Sequence, residues 1–175
     1  MPAMSRPSFH KSSLGAVAAA TAVALLLAGC AAMSLPQAGQ TRDALMQQWG
    51  APTDVYALPD GASRLEYATG PWGRMTWMVD VGSDGRVRSV RQVLNEAHFA
   101  EFATYVKGMT PEQVLLELGR PAERRLAGWG GGAFWSWRYP TNDCLWFQVG
   151  FDKDHLATSA GYGIDWVCDA PNDRK

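Results

Sequence analysis

Met75, Trp77, Val79 and Val81 alternate with Arg74, Thr76, Met78 and Asp80. That period of two predicts a half-buried strand. Ser83-Asp84-Gly85-Arg86 reads as a turn, and Val87 to Val93 returns as a second strand. Leu65 and Tyr67 mark an earlier strand. The pattern recurs later. Trp135, Trp137 and Tyr139 mark one strand, Leu145, Phe147, Val149 and Phe151 a second, Asp152-Lys153-Asp154-His155 a turn, and Leu156 onward a return strand. Helical spacing appears elsewhere. Leu45, Met46 and Trp49 share one face of a short helix, and Val114, Leu115 and Leu118 share one face of another. Thr110, Pro111 and Gln113 open the latter with a capping box, and Gly119 and Pro121 end it. Glu96 to Val106, with Phe99, Phe102 and Val106 on one side, predicts a helix that pairs with it as a hairpin.

The chain repeats itself. Residues 39–52 align without a gap on residues 108–121 at an offset of 69, with Gly, Thr, Gly and Pro identical. Further on, Trp77, Val79, Val81 and Asp84 align on Phe147, Val149, Phe151 and Asp154 at an offset of 70. The expected fold is α+β: two tandem helix-plus-antiparallel-sheet units with helices packed on one sheet face.

The N-terminus carries Arg6, His10 and Lys11 and no acidic residue, followed by an apolar run from Leu14 to Leu27. The run is shorter than the roughly 20 residues of a membrane span. A basic start, a short apolar stretch and small residues before a cut site form a secretory signal. Leu27-Ala28-Gly29-Cys30 is similar to the bacterial lipobox. That resemblance implies cleavage between Gly29 and Cys30 and lipidation of Cys30, whose several acyl chains anchor durably where one would not. Ala31, in place of Asp, points to the outer membrane under the enterobacterial sorting rule. The expected order is signal peptide 1–29, lipidated tether 30–38, first unit 39–95, second unit 96–168 and tail 169–175.

Charge and composition narrow the function. The full chain has 16 Lys+Arg and 17 Asp+Glu, and processing would remove two of the basic residues, Arg6 and Lys11. The basic excess of a nucleic-acid binder is missing. A hydrophobic content of 47% argues against disorder. No nucleophile elbow, phosphate-binding loop or paired-His metal motif occurs, so no catalytic residue, metal or cofactor is expected. Gly128-Trp129-Gly130-Gly131-Gly132 reads as a turn, because no Lys-Ser or Lys-Thr follows. Asp152-Lys153-Asp154-His155 reads as a solvated turn and His98 as a partly buried helix residue.

Cys144 and Cys168 belong to an exported chain, where disulfides persist. A bridge would enclose 23 residues and stabilise by about 3 kcal/mol; two buried thiols or intermolecular pairing are the alternatives. Trp72 and Trp129 stand among loop glycines. Each either folds back over its own unit or anchors a partner or the membrane interface.

Val106-Lys107-Gly108-Met109-Thr110, then Leu118-Gly119-Arg120-Pro121, an aromatic strand and a strand ending near Asp152-Lys153-Asp154 resemble the SmpA/OmlA (BamE-like) outer-membrane lipoprotein family. The match covers about 106 to 160, and Trp49-Gly50-Ala51-Pro52 departs from the Leu-Gly-x-Pro pattern in the first unit. The tandem arrangement resembles the fold of the secreted β-lactamase inhibitor protein. The resemblance implies a non-enzymatic, periplasm-facing accessory or scaffold of outer-membrane β-barrel assembly or envelope integrity, attached to the membrane by its lipid and bound to a protein partner. Its contact loops would correspond to Gly70-Pro71-Trp72-Gly73 and Pro140-Thr141-Asn142-Asp143. The alternative is a periplasmic binding module of inhibitor type.

Overall fold

The computed structural model describes residues 34–70, 74–128, 131–165 and 167. Its elements run α1 (Arg42–Trp49), β1 (Asp54–Ala57), a 3-10 turn (Pro59–Gly61), β2 (Ser63–Thr69), β3 (Met75–Val81), β4 (Val87–Gln92), α2 (Glu96–Ala103), α3 (Pro111–Leu118), β5 (Glu123–Leu126), β6 (Ala133–Trp137), β7 (Leu145–Phe151) and β8 (Ala157–Ile164). The strands form two four-stranded antiparallel sheets, ordered β1-β2-β3-β4 and β5-β6-β7-β8. The described residues are therefore mixed α/β and mostly sheet, with three α-helices.

Local chemistry explains the elements. Thr41 caps α1 by accepting from the Ala44 amide at 3.2 Å. Thr110 caps α3 with a full capping box: its hydroxyl accepts from the Gln113 amide, and the Gln113 side chain accepts from the Thr110 amide at 2.9 Å. Both helices end on a glycine in the left-handed region, Gly50 at φ 80° and Gly119 at φ 74°. The helix expected over 96–106 ends at Ala103, because Thr104 and Tyr105 tighten to three-residue hydrogen bonds onto Glu101 and Phe102.

The sequence pattern missed β1 and β5. Both are short edge strands, and β5 reads Glu-Arg-Arg-Leu, with no apolar alternation to reveal it.

Leu45 of α1 packs with Leu65, Tyr67, Val79, Val81 and Val87. Phe99 and Phe102 of α2 and Val114 and Leu118 of α3 pack with Trp137, Phe147 and Val149. Met78, Val93 and Leu94 from the first sheet join that second cluster. The expectation of helices on one sheet face is thus corrected for the first sheet. One face meets α1, and the opposite face receives the C-terminal end of α3. There Arg64 donates to the Leu116 carbonyl at 2.6 Å, and the fully buried Glu66 accepts from the Arg120 amide at 3.1 Å. Alternation identified the apolar face of β3, but Thr76 and Met78 on its other face are equally buried. Period two says which side chains share a face, not what covers it.

The two sheets carry matching hydrogen bonds. Gly39 donates to Val87 and Val87 to Gln40, at 2.8 Å each; Gly108 donates to Ala157 at 2.7 Å and Ala157 to Met109 at 2.8 Å. The Tyr67 hydroxyl donates to the Gly50 carbonyl at 3.3 Å, and the Trp137 indole donates to the Gly119 carbonyl at 3.0 Å. Register shifts fall at Asp80/Val81 against β4 and at Gly150/Phe151 against β8.

Candidate binding surface

The β2–β3 and β6–β7 connections lie side by side. Gly70, Arg74 and Met75 from the first, with Pro140, Thr141 and Asn142 from the second, line an open cleft of about 410 Å³. A neighbouring hollow of about 330 Å³ shares Met75 and Pro140 and continues to Asn95, Glu96 and Tyr139. Each contributor is held by its element. Gly70 takes φ 77°, which lets β2 turn out of its sheet. Met75 opens β3 and is exposed, so its side chain is available at the surface of the cleft. Tyr139 is buried and stands edge-on to Phe99, so α2 holds its ring. Burial pushes the Tyr139 phenol above its ordinary value, with Glu96 and Asp143 adding to the rise.

Hydrogen bonds tie down both ends of the β6–β7 connection. Arg138 makes a two-pronged ion pair with the buried Asp165, at 2.6 and 3.1 Å. The Arg138 hydrogen bonds hold the Asp165 carboxyl below its ordinary range, against the opposing effect of burial. The Asp165 amide donates to the Cys144 carbonyl at 2.8 Å, which fixes the far end of the β6–β7 connection.

Of the residues singled out in the sequence, Cys144 is described and exposed just before β7. Gly29, Cys30, Trp72, Trp129 and Cys168 lie outside the described residues. So do Pro71 and Gly73 of the first candidate loop, whereas Gly70 borders the cleft together with Pro140, Thr141 and Asn142. Sequence reasoning named both loops separately but not their meeting. Strand alternation also does not reveal Met75 as a cleft residue or Tyr139 as part of the hollow beside it. Asp152 serves its own turn, its carboxylate accepting from the Asp154 and Leu156 amides at 2.9 and 3.0 Å. Among the described residues no group of three or more His, Cys, Asp or Glu could hold a metal ion.

Glu66 and Tyr56 form a perturbed titratable pair. Burial raises the Glu66 carboxyl, opposed by hydrogen bonds from the Tyr56 hydroxyl and the Arg120 amide. Burial and the Glu66 hydrogen bond raise the Tyr56 phenol in turn. Neither lines the cleft or the hollow beside it. Their hydrogen bonds join β1, β2 and the end of α3. His98 is buried in α2, its Nε2 3.3 Å from the Glu117 carbonyl; burial lowers its basicity.

Among known proteins, no family model and no curated protein matches this chain. Among solved structures, an extracellular protein containing an SCP domain from Bacillus anthracis str. Ames aligns at 14% identity and a TM-score of 0.28. The alignment covers 73% of this chain and 43% of that one. A likeness this slight carries no argument about fold or function.

Proposed function

We propose that this chain is an exported lipoprotein, anchored at Cys30 to the outer membrane and facing the periplasm, that acts as a non-catalytic binding accessory in β-barrel assembly. Its folded part is read as two tandem SmpA/OmlA-like units. The paired clasps at Gly39/Val87 and Gly108/Ala157, the paired bonds to the Gly50 and Gly119 carbonyls, and the paired register shifts support that reading, since each recurs at the sequence offset of the repeat. Divergence between the halves also fits. Gly119 closes against Glu66 and Thr76, whereas Gly50 has open space beside it.

The observation that carries the functional proposal is the cleft. The β2–β3 and β6–β7 connections occupy equivalent places in the two sheet orders, and both supply its walls. A surface lined from equivalent connections, with an exposed methionine among polar neighbours, has the make-up of a protein-binding surface.

The test is photo-crosslinking in cells from Met75, Thr141, Trp72 and Trp129, each replaced in turn by a photoreactive residue. The exposed Leu126 on β5 serves as the control position. Adducts to the barrel-assembly core from the first four positions, absent from Leu126, support the proposal. Adducts to one soluble periplasmic protein replace it with the inhibitor-type reading. No adduct from Met75 or Thr141 removes the cleft as the binding surface.

A further inference from the structure

We infer that the free edge of β8 binds an extended, uncharged segment of a partner protein by strand addition, with Ala160, Tyr162 and Ile164 supplying the main-chain hydrogen bonds. This rests on the reading of the chain as a protein-binding module, and it names the form of the partner.

β4 and β8 end their sheets in equivalent ways but are finished differently. β4 carries Arg88 and Arg91, and side-chain amides close carbonyls at and just past its end: Asn95 donates to Gln92 at 2.7 Å, and Gln92 donates to Leu94 at 3.0 Å. The other two edges are short and charged. β1 has Asp54, whose carboxylate also accepts from the Val55 amide at 2.8 Å, and β5 has Glu123, Arg124 and Arg125. Charge, brevity and side-chain capping are the usual means of blocking an edge. β8 uses none of them. Its eight residues, Ala-Thr-Ser-Ala-Gly-Tyr-Gly-Ile, include no charge and no proline.

The direction of its main-chain groups follows from its neighbours. The Asp165 amide points inward, to Cys144. Alternation along the strand then turns the amide and carbonyl of Ile164, Tyr162 and Ala160 outward. Past the register shift, Ala157 also points outward, and there both its groups are bonded to Gly108 and Met109. Among the described residues, nothing bonds the outward groups of Ala160, Tyr162 and Ile164. A short stretch of this edge is thus already closed by the chain itself, and the next three outward positions are open.

Three donor–acceptor pairs at two-residue spacing fit only an extended backbone. The side chains beside them define its character. Tyr162 is 50% and Ile164 61% exposed, so apolar residues of an incoming strand have partners there.

The test uses the full mature protein and a blocked peptide alternating Thr with Val, followed by amide hydrogen exchange. Without peptide, the amides of Ala160, Tyr162 and Ile164 are expected to exchange rapidly while Gly161 and Gly163 are protected. With peptide up to about 1 mM, in the range of weak binding, the three outward amides should slow at least about tenfold. The same peptide N-methylated on one edge should leave them fast. Ile164→Pro removes one outward amide at an edge, where proline is tolerated. It should keep the thermal midpoint and lose peptide protection; Ala160→Pro serves as the second variant if the first unfolds. Unchanged exchange with peptide overturns the inference, as does protection that grows with protein concentration alone, which would indicate a second copy. Failure of cleft crosslinking with retained peptide protection would remove the cleft as the binding surface and leave the edge standing.

Discussion

Glu66 on β2 accepts the main-chain amide of Arg120, just past α3, on both carboxylate oxygens, at 3.1 and 3.2 Å. The Tyr56 hydroxyl donates to the same carboxylate at 2.5 Å. One buried acid therefore closes the end of a helix that belongs to the other half of the chain.

Removing this acid should be costly. Glu66→Ala orphans a buried amide and opens a cavity, and we expect a loss of roughly 2–4 kcal/mol. Glu66→Gln keeps an acceptor oxygen for Arg120 and should lose about 1 kcal/mol. Urea unfolding of the two variants checks the order. Equal losses would mean that the carboxylate contacts contribute nothing beyond volume.

The pH dependence should carry two opposite contributions. The folded Glu66 carboxyl lies above its unfolded value, so its contribution is present below the unfolded pKa and is lost as pH rises through the folded one. The folded Asp165 carboxyl lies below its unfolded value, so its contribution is present above the unfolded pKa and is lost as pH falls through the folded one. Denaturation midpoints of Glu66→Gln and Asp165→Asn across the acid range separate them. Relative to the parent, the first variant should lose the decline on the alkaline side, and the second should lose the decline on the acid side.

Gly50 and Gly119 should respond unequally to alanine. Both have positive φ, which costs about 1 kcal/mol for a residue with a side chain. A Cβ at Gly119 would also stand 2.9 Å from Glu66 and Thr76, whereas one at Gly50 meets nothing within 4 Å. Gly119→Ala is therefore expected to lose about 3 kcal/mol or more and Gly50→Ala about 1. Thermal or urea midpoints decide; similar losses would contradict the close packing at the α3 terminus.

Cys144 and Cys168 should be joined in the exported protein. The Asp165–Cys144 main-chain bond brings the chain beside Cys144 only three residues before Cys168. Thiol titration of the unfolded, unreduced mature protein should find neither of these thiols reactive. Reduction should lower stability by about 3 kcal/mol. Two reactive thiols would dismiss the bridge.

Local pattern alone located three helices, six of the eight strands and the repeat. Caps, terminating glycines and alternation act over a few residues, so they can be read without knowing the fold. Thr110, Gln113 and Gly119 announced α3 in this way. The strands β1 and β5 escaped because an edge strand gains its stability from its neighbour more than from its own side chains. Tertiary structure alone decided the rest. Nothing in the spacing of Glu66 tells that its carboxylate meets Arg120, or that Met75 and Thr141 share a cleft. Nor does it tell that Gln92 at the end of β4 is capped while, among the described residues, nothing bonds the outward groups of Ala160, Tyr162 and Ile164 on β8. Such pairings join residues far apart in the chain, and which of them form depends on how the two sheets pack.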